Sequence, residues 1–483
     1  MRILERLEKS KDFYFLVGTT FLFFLLRLPS LFEPYWYGDE GVYDVVAMGI
    51  RSGRLLYRDI WDNKPPFLYL LYALFASDQF VIRLVSLVFG ILSLYFFFLI
   101  TKKLFLKQRN IYISSVLFTL LFATPLLEGN IANAENFMML PILAAGFFVL
   151  EYVKTEKSLL LYASGFLLSV AFLFKVVAVF DASAFFIFIF LSTYKNHIKQ
   201  QVKNLIPFML SFTLPIIAVM LFFVYKNAFS FFVHAVFTQN IGYVAYANKF
   251  IIPQGFLLLK LIALFAFLTF IFLKRKTIDH KLLFIFLWVG FSLFNAFFSE
   301  RPWTHYLLVL IPSFILLLFW SFGETGKQIF LKRFAQLLTI TIIIVALIHF
   351  PIYKKTLGYY DNFFRFLTNK ESVYSYREFF DKSTPTDYAV ADYLKTKNPN
   401  ASIFLFGNDA QIYRLANKLP PGRFIVEYHM LAKPRYINET QMSLNLVKPK
   451  YIISTTDDTI PYNMSHYALL FQINKAVIYE RIF

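Results

Sequence analysis

Apolar runs of about twenty residues recur along this chain, more than any soluble fold of its size has a use for. They fall near 13–31, 80–101, 111–127, 136–153, 158–174, 176–194, 204–225, 256–273, 281–298, 305–322 and 333–352. A bilayer core about 30 Å thick takes about 20 apolar residues per helix. The pattern therefore predicts a polytopic α-helical membrane protein with about eleven transmembrane helices. Around Phe174-Lys175 two of the runs could instead form one kinked segment. Composition agrees: 58% of the 483 residues are hydrophobic, 63 of them Phe, and the mean hydropathy is +0.57. The first run follows Arg2, Arg6, Lys9 and Lys11 and continues to Leu26 with no small-residue cleavage site, so it reads as a spanning helix and not as a signal peptide.

The net charge of +18 is spread in short clusters between the apolar runs. No basic domain is available for nucleic acid. The clusters instead set an orientation, because loops on the cytoplasmic side carry the excess of Lys and Arg. With the N-terminus cytoplasmic, the inner loops hold Lys102, Lys103, Lys107 and Arg109, then Lys154 and Lys157, then Lys195, Lys199 and Lys203, then Lys274, Arg275 and Lys276, and last Lys327, Lys332 and Arg333. The outer loops are 32–79, 128–135, 226–255 and 299–304, the second without any Lys or Arg. Eleven crossings leave the C-terminal segment extracytoplasmic, in a multi-pass protein of the plasma membrane. There are no cysteines, which excludes disulfides and thiolate chemistry.

Two domains are expected: a transmembrane domain over 1–352 and a C-terminal extracytoplasmic α/β domain over 353–483. Past Tyr353 the apolar runs shorten to strand length, with Ile403–Phe406 and Tyr451–Ser454 as strands. Ala410–Lys418 forms a short helix and Pro420-Pro421-Gly422 a turn. In the long first outer loop, Gly41–Ile50 reads as an amphipathic helix with Val42, Val45, Val46 and Ile50 on one face. Phe67–Phe75 is too short to span and reads as interfacial. Together they would form a cup above the membrane.

That loop carries the charged residues with most chemical promise. Asp39 and Glu40 sit between Gly38 and Gly41 and among Tyr35, Trp36, Tyr37 and Tyr43. A carboxylate there can cap the following helix or act as a general base toward an acceptor hydroxyl. In Trp61-Asp62-Asn63-Lys64-Pro65-Pro66 the prolines stiffen the chain after Lys64, whose ammonium is suited to a lipid phosphate or to plain snorkelling. Glu135 opens a spanning helix. Lys175 lies within one, where it costs roughly 2.5–3.5 kcal/mol and calls for a partner, Asp181 or an anionic headgroup. In Arg301-Pro302-Trp303-Thr304-His305-Tyr306, Arg301 and His305 would share a helix face if the helix begins early enough, and would suit a phosphate; interfacial anchoring is the plainer use. There is no Walker A, GxGxxG or HExxH. With seven His and no Cys a dedicated metal site is not expected, although carboxylates could hold a divalent cation.

Taken in order over about 13–352, these residues resemble the GT-C superfamily of integral-membrane glycosyltransferases, in the branch of the bacterial dolichyl-phosphate-mannose–protein mannosyltransferases and aminoarabinose transferases. The resemblance implies a GT-C-like fold and an inverting transfer of a sugar from a polyprenyl-phosphate donor to a glycan, lipid or protein acceptor at the outer face. By matching positions, Asp39 would be the catalytic carboxylate with Glu40 assisting. Lys64, Arg301, His305 and Lys175 would bind the donor phosphate, and Glu135, Tyr43, Asp62 and Tyr306 the acceptor or substrate. At Asn63 the chain departs from the aminoarabinose branch, which has an acidic residue there, so that branch's metal position is not matched. A lipid-phosphate donor needs no nucleotide loop, consistent with the missing motifs. The competing readings are a transporter or flippase of a lipid-linked intermediate, which would favour two related halves with broken helices, and a scaffold whose outer domain does the binding. No internal repeat is found.

Overall fold

A computed structural model describes residues 2–192, 198–241, 257–299, 301, 303–324, 329–350, 352, 355–397 and 399–482. Part of the expected outer loop 226–255, together with Lys195, Lys327, Pro302 and Tyr353, lies outside the described residues. Every one of the eleven apolar runs contains a helix. Among the described residues seven helices are long and apolar enough to cross a membrane, from Ser10–Leu31 to Ile329–His349. Ser158–Phe174, Val176–Ser192 and His280–Ala296 are apolar but shorter, and Gln108–Ala123 has 16 residues. Lys175 separates two helices: its backbone is extended (φ −155°, ψ 128°), so the run around it is not one kinked segment.

By its internal contacts the chain forms two compact units. The first comprises Met1–Ser30, Leu84–Phe222 and Gln239–Thr356. Within it Ala134–Thr155 pairs with Ser158–Phe174 as a hairpin, and His280–Ala296 packs on Val179–Ser192 and on Ile311–Gly323. Two-thirds of Ala134–Thr155 is buried but only 6% of Leu257–Lys274, whose Leu258, Phe265 and Leu273 are exposed. The first helix is therefore central and the second presents its side chains to lipid. Phenylalanine fills the interior by ring packing: Phe97 stacks on Phe118 with centroids 4.6 Å apart, and Phe185 on Phe284 at 5.4 Å.

The second unit comprises Leu31–Arg83, Phe223–Thr238 and Leu357–Phe483. The first loop, grouped by sequence with the spanning helices, thus shares a core with the C-terminal segment. That core holds a four-stranded sheet ordered β1-β2-β4-β3, with β1 Ile403–Phe406, β2 Tyr451–Ser454, β3 Tyr467–Ile473 and β4 Ala476–Arg481. β1 and β2 are parallel, joined by a crossover through the Pro434–Val447 helix, and the other pairs are antiparallel. The two strands and the short helix expected from sequence are present, the helix at Gln411–Leu415.

The loop helix Gly38–Arg51 is not amphipathic in its surroundings. Val42, Tyr43, Val45, Val46 and Ala47 are all buried, and so is Asp44, whose carboxyl burial raises well above the usual range. The Gln411 helix lies so close that a Cβ on Gly41 would stand 2.8 Å from the Gln411 backbone nitrogen, and Trp61 N donates to the Arg423 carbonyl at 2.9 Å. Only the second loop helix, Pro66–Leu74, keeps one apolar face out, with Leu70 and Leu74 exposed and Leu68, Tyr69 and Tyr72 buried.

Candidate active site

In the second unit, the first turn of Gly38–Arg51 sets the Asp39 carboxylate at the positive end of the helix. One turn on, Tyr43 Oη donates to Asp39 Oδ2 at 2.9 Å. Lys64 Nζ reaches the same oxygen at 3.4 Å, Asp62 Oδ2 at 3.8 Å, and lies 4.7 Å from the Tyr43 ring centre. The backbone around this lysine is pinned by two buried phenols. Tyr57, itself in the left-handed region at φ 69°, donates to the Lys64 carbonyl at 2.8 Å. Lys64 N donates to Tyr69 Oη at 3.0 Å, and Tyr69 donates to Asp62 Oδ2 at 2.7 Å. Burial holds both phenols well above the usual tyrosine range, so they remain donors. Asp62 and its neighbour His429 are sealed, Nε2 standing 3.6 Å from Asp62 Oδ1. Burial lowers His429 to about 4, so the imidazole is neutral. Asp39 is the open member, with 35% of its side chain exposed.

Glu40 does not join this group. Its carboxylate meets the fully buried Arg83, Nη2 to Oε2 at 2.6 Å, and Arg83 Nη1 holds Glu33 Oε2 at 2.5 Å. Glu33 also accepts from Tyr359 Oη at 2.5 Å and from Trp36 Nε1 at 2.7 Å. This is a closed ionic knot beneath the helix, remote from water, so Glu40 fixes the turn that presents Asp39.

The first unit assembles a second group. Asn133 caps Ala134–Thr155 and places Glu135 in its first turn, 1% exposed. Lys175, freed by the break after Phe174, pairs with Glu135 Oε1, and its ammonium lies 4.8 Å from the Tyr306 ring centre. His305 Nε2 stands 3.8 Å from the same oxygen, while Nδ1 is 2.8 Å from Glu128 Oε2. The partner suggested for Lys175, Asp181, belongs elsewhere: it accepts from Trp288 Nε1 at 2.7 Å. Arg301 and His305 do not share a helix face, because the turn begins as a 3-10 helix at Thr304 and residue 301 precedes it.

Sequence reading missed Glu128, His429, Tyr57, Tyr69 and Arg83. Only Glu128 carried a local signal, the Glu128-Gly129 turn: Glu128 is left-handed at φ 60°, and a Cβ on Gly129 would stand 2.2 Å from the Phe122 carbonyl oxygen. Among the described residues no three His, Asp or Glu side chains gather as a metal site requires. Between Asp39 and Asp62, the place a divalent cation would take is filled by the Lys64 ammonium.

Residues 64–224 match the family model of dolichyl-phosphate-mannose-protein mannosyltransferases. The fold is similar to that of ArnT from Cupriavidus metallidurans bound to undecaprenyl phosphate, with a TM-score of 0.55 and 13% identity over 97% of this chain and 98% of that one. A weaker likeness is to the archaeal oligosaccharyltransferase AglB from Archaeoglobus fulgidus in complex with an inhibitory peptide and a dolichol-phosphate: TM-score 0.48, 11% identity, 93% of this chain and 70% of that one. No curated protein matches in sequence. The resemblance to GT-C membrane glycosyltransferases is borne out, as is the fold class of a helical polytopic membrane protein with a small C-terminal sheet region.

Proposed function

We propose that the protein is an inverting glycosyltransferase that moves a sugar from a polyprenyl-phosphate donor to an acceptor hydroxyl at the outer face of the membrane. The observation that carries this is the meeting of an accessible carboxylate, Asp39, with a backbone-pinned ammonium, Lys64, at 3.4 Å. The mannosyltransferase match over 64–224, which begins at Lys64, and the undecaprenyl phosphate of the ArnT structure support the donor class.

In this reading the acceptor oxygen attacks the anomeric carbon on the face opposite the phosphate. The bond from that carbon to the phosphate oxygen breaks, with inversion. Asp39 takes the acceptor proton as general base, and the leaving lipid phosphate keeps the bond's electron pair as negative charge, which Lys64 stabilises. Asp62, held by Tyr69, and the ring of Tyr43 keep the ammonium aimed before donor binds. Arg301, His305 and Lys175 remain candidates for the donor phosphate, and Glu135 and Tyr306 for substrate, on their chemistry. In membranes supplied with radiolabelled polyprenyl-phosphate sugars, wild type should transfer label, Asp39→Asn should lose about 10²–10⁴-fold in rate, and Lys64→Ala should fall with it. Variants equal to wild type would refute the site. A wild type that transfers nothing from a broad donor panel would favour the flippase reading.

A further inference from the structure

A cavity of about 610 Å³ in the first unit has no part in this chemistry. It lies where Gln79–Leu104 and Ala134–Thr155 end and His280–Ala296 begins, on the face that carries the basic connecting segments. Its size falls within the roughly 300–1,000 Å³ of ordinary ligand sites. The cationic part of the lining is Lys102, Lys103, Lys154, His280 and Lys281. The rest is apolar, chiefly Phe147, Leu150, Val153 and Phe188.

Two of the four lysines are neutralised from within: Lys102 pairs with Asp12, and Lys103 with Glu151. Asp12 is further occupied by Gln108 and Tyr112, which donate to its Oδ1 at 2.9 Å each. Lys154 and Lys281 have no carboxylate partner among the described residues, which leaves the cavity an excess of two positive charges. Lys154 stands in the last turn of its helix, where a cation complements the helix dipole. That explanation fails for Lys281, which sits in the first turn of His280–Ala296, where the dipole repels a cation. A lysine without a carboxylate partner at an unfavourable helix end, lining the same partly apolar cavity as a second one, suits an anion.

We propose that this cavity binds one anionic phospholipid from the leaflet on that side. Its headgroup phosphate would lie between Lys154 and Lys281, and an acyl chain along Phe147, Leu150 and Val153. Basic pockets between spanning helices take anionic headgroups by such charge complementarity, at about 1 kcal/mol per lysine. The proposal does not rest on the transferase reading.

The test is native mass spectrometry of the full chain in detergent micelles, titrated with phosphatidylglycerol or phosphatidylcholine. Wild type should retain one phosphatidylglycerol in preference to phosphatidylcholine. The double variant Lys154→Gln/Lys281→Gln should bind it about thirtyfold more weakly. The control Lys157→Gln/Lys276→Gln removes the same charge outside the cavity and should bind as wild type does. Val153→Trp, which fills the cavity and leaves every lysine in place, should also lose the lipid. Equal binding of the two lipids, a control as weak as the cavity variant, an undiminished Val153→Trp, or displacement of lipid by excess inorganic phosphate would each overturn it.

Discussion

Asp39 and Glu40 begin the same helical turn, yet Asp39 keeps 35% of its side chain in water while Glu40 is sealed against Arg83 at 3%. Their substitutions should therefore separate. Asp39→Asn should fold normally and lose transfer. Glu40→Gln strips one carboxylate from a buried ionic knot, which typically costs about 3–5 kcal/mol, so it should lower the thermal midpoint in proportion. A Glu40→Gln protein with unchanged stability and abolished turnover would return Glu40 to the chemistry. His429 makes a second prediction. Burial lowers its folded value to about 4 from the ordinary 6.5, so between those values the unfolded chain binds a proton that the folded chain does not. The stability is present above the unfolded value and is lost as pH falls toward 4, by about 3 kcal/mol. Denaturant titrations over that range should show His429→Gln losing less stability than wild type; parallel curves would mean that His429 is already charged against Asp62. Neither role was legible in sequence. Asp39 and Lys64 could be paired because glycines, aromatics and prolines mark both ends of one loop, whereas His429 lies hundreds of residues downstream with no local pattern around it.

Hydrophobic spacing located the elements well and their neighbours poorly. Every apolar run is helical and both expected strands exist, since each follows from local period and length. The exposure of Gly38–Arg51 was misjudged because it is covered by a helix that arrives much later in the chain, Gln411–Leu415. Lys175 likewise turned to Glu135, forty residues back, and not to Asp181 in the next helix. A spanning lysine announces that it needs a partner without saying which. The packing of Gly38–Arg51 is itself testable. A Cβ at position 41 meets backbone at 2.8 Å, which no rotamer change can relieve. Gly41→Ala should destabilise the second unit by about 1–3 kcal/mol, the usual range for overpacking, and should sharply increase proteolysis of segments 31–83 and 357–397 together. Cleavage confined to one of the two would show that they do not share a core.

At the scale of the molecule, what the basic clusters predict is an orientation. Five loops rich in Lys and Arg and one loop with none predict that the first loop and the C-terminal segment face away from the cytoplasm. The functional reading depends on this, because Asp39, Lys64 and His429 all lie in those two segments, within one unit. The chain has no cysteine, so any thiol introduced is the only one present. Asp457 is exposed in the turn after β2, and Lys276 is exposed between two spanning helices in a basic cluster. In intact cells a membrane-impermeant maleimide should label Asp457→Cys and spare Lys276→Cys. After the membrane is opened, both should react. Labelling of Lys276→Cys alone in intact cells would invert the protein and move the proposed transfer to the cytoplasmic face. It would also place the lysine-lined cavity on the outer leaflet, so the same two cysteines decide which leaflet must supply its lipid.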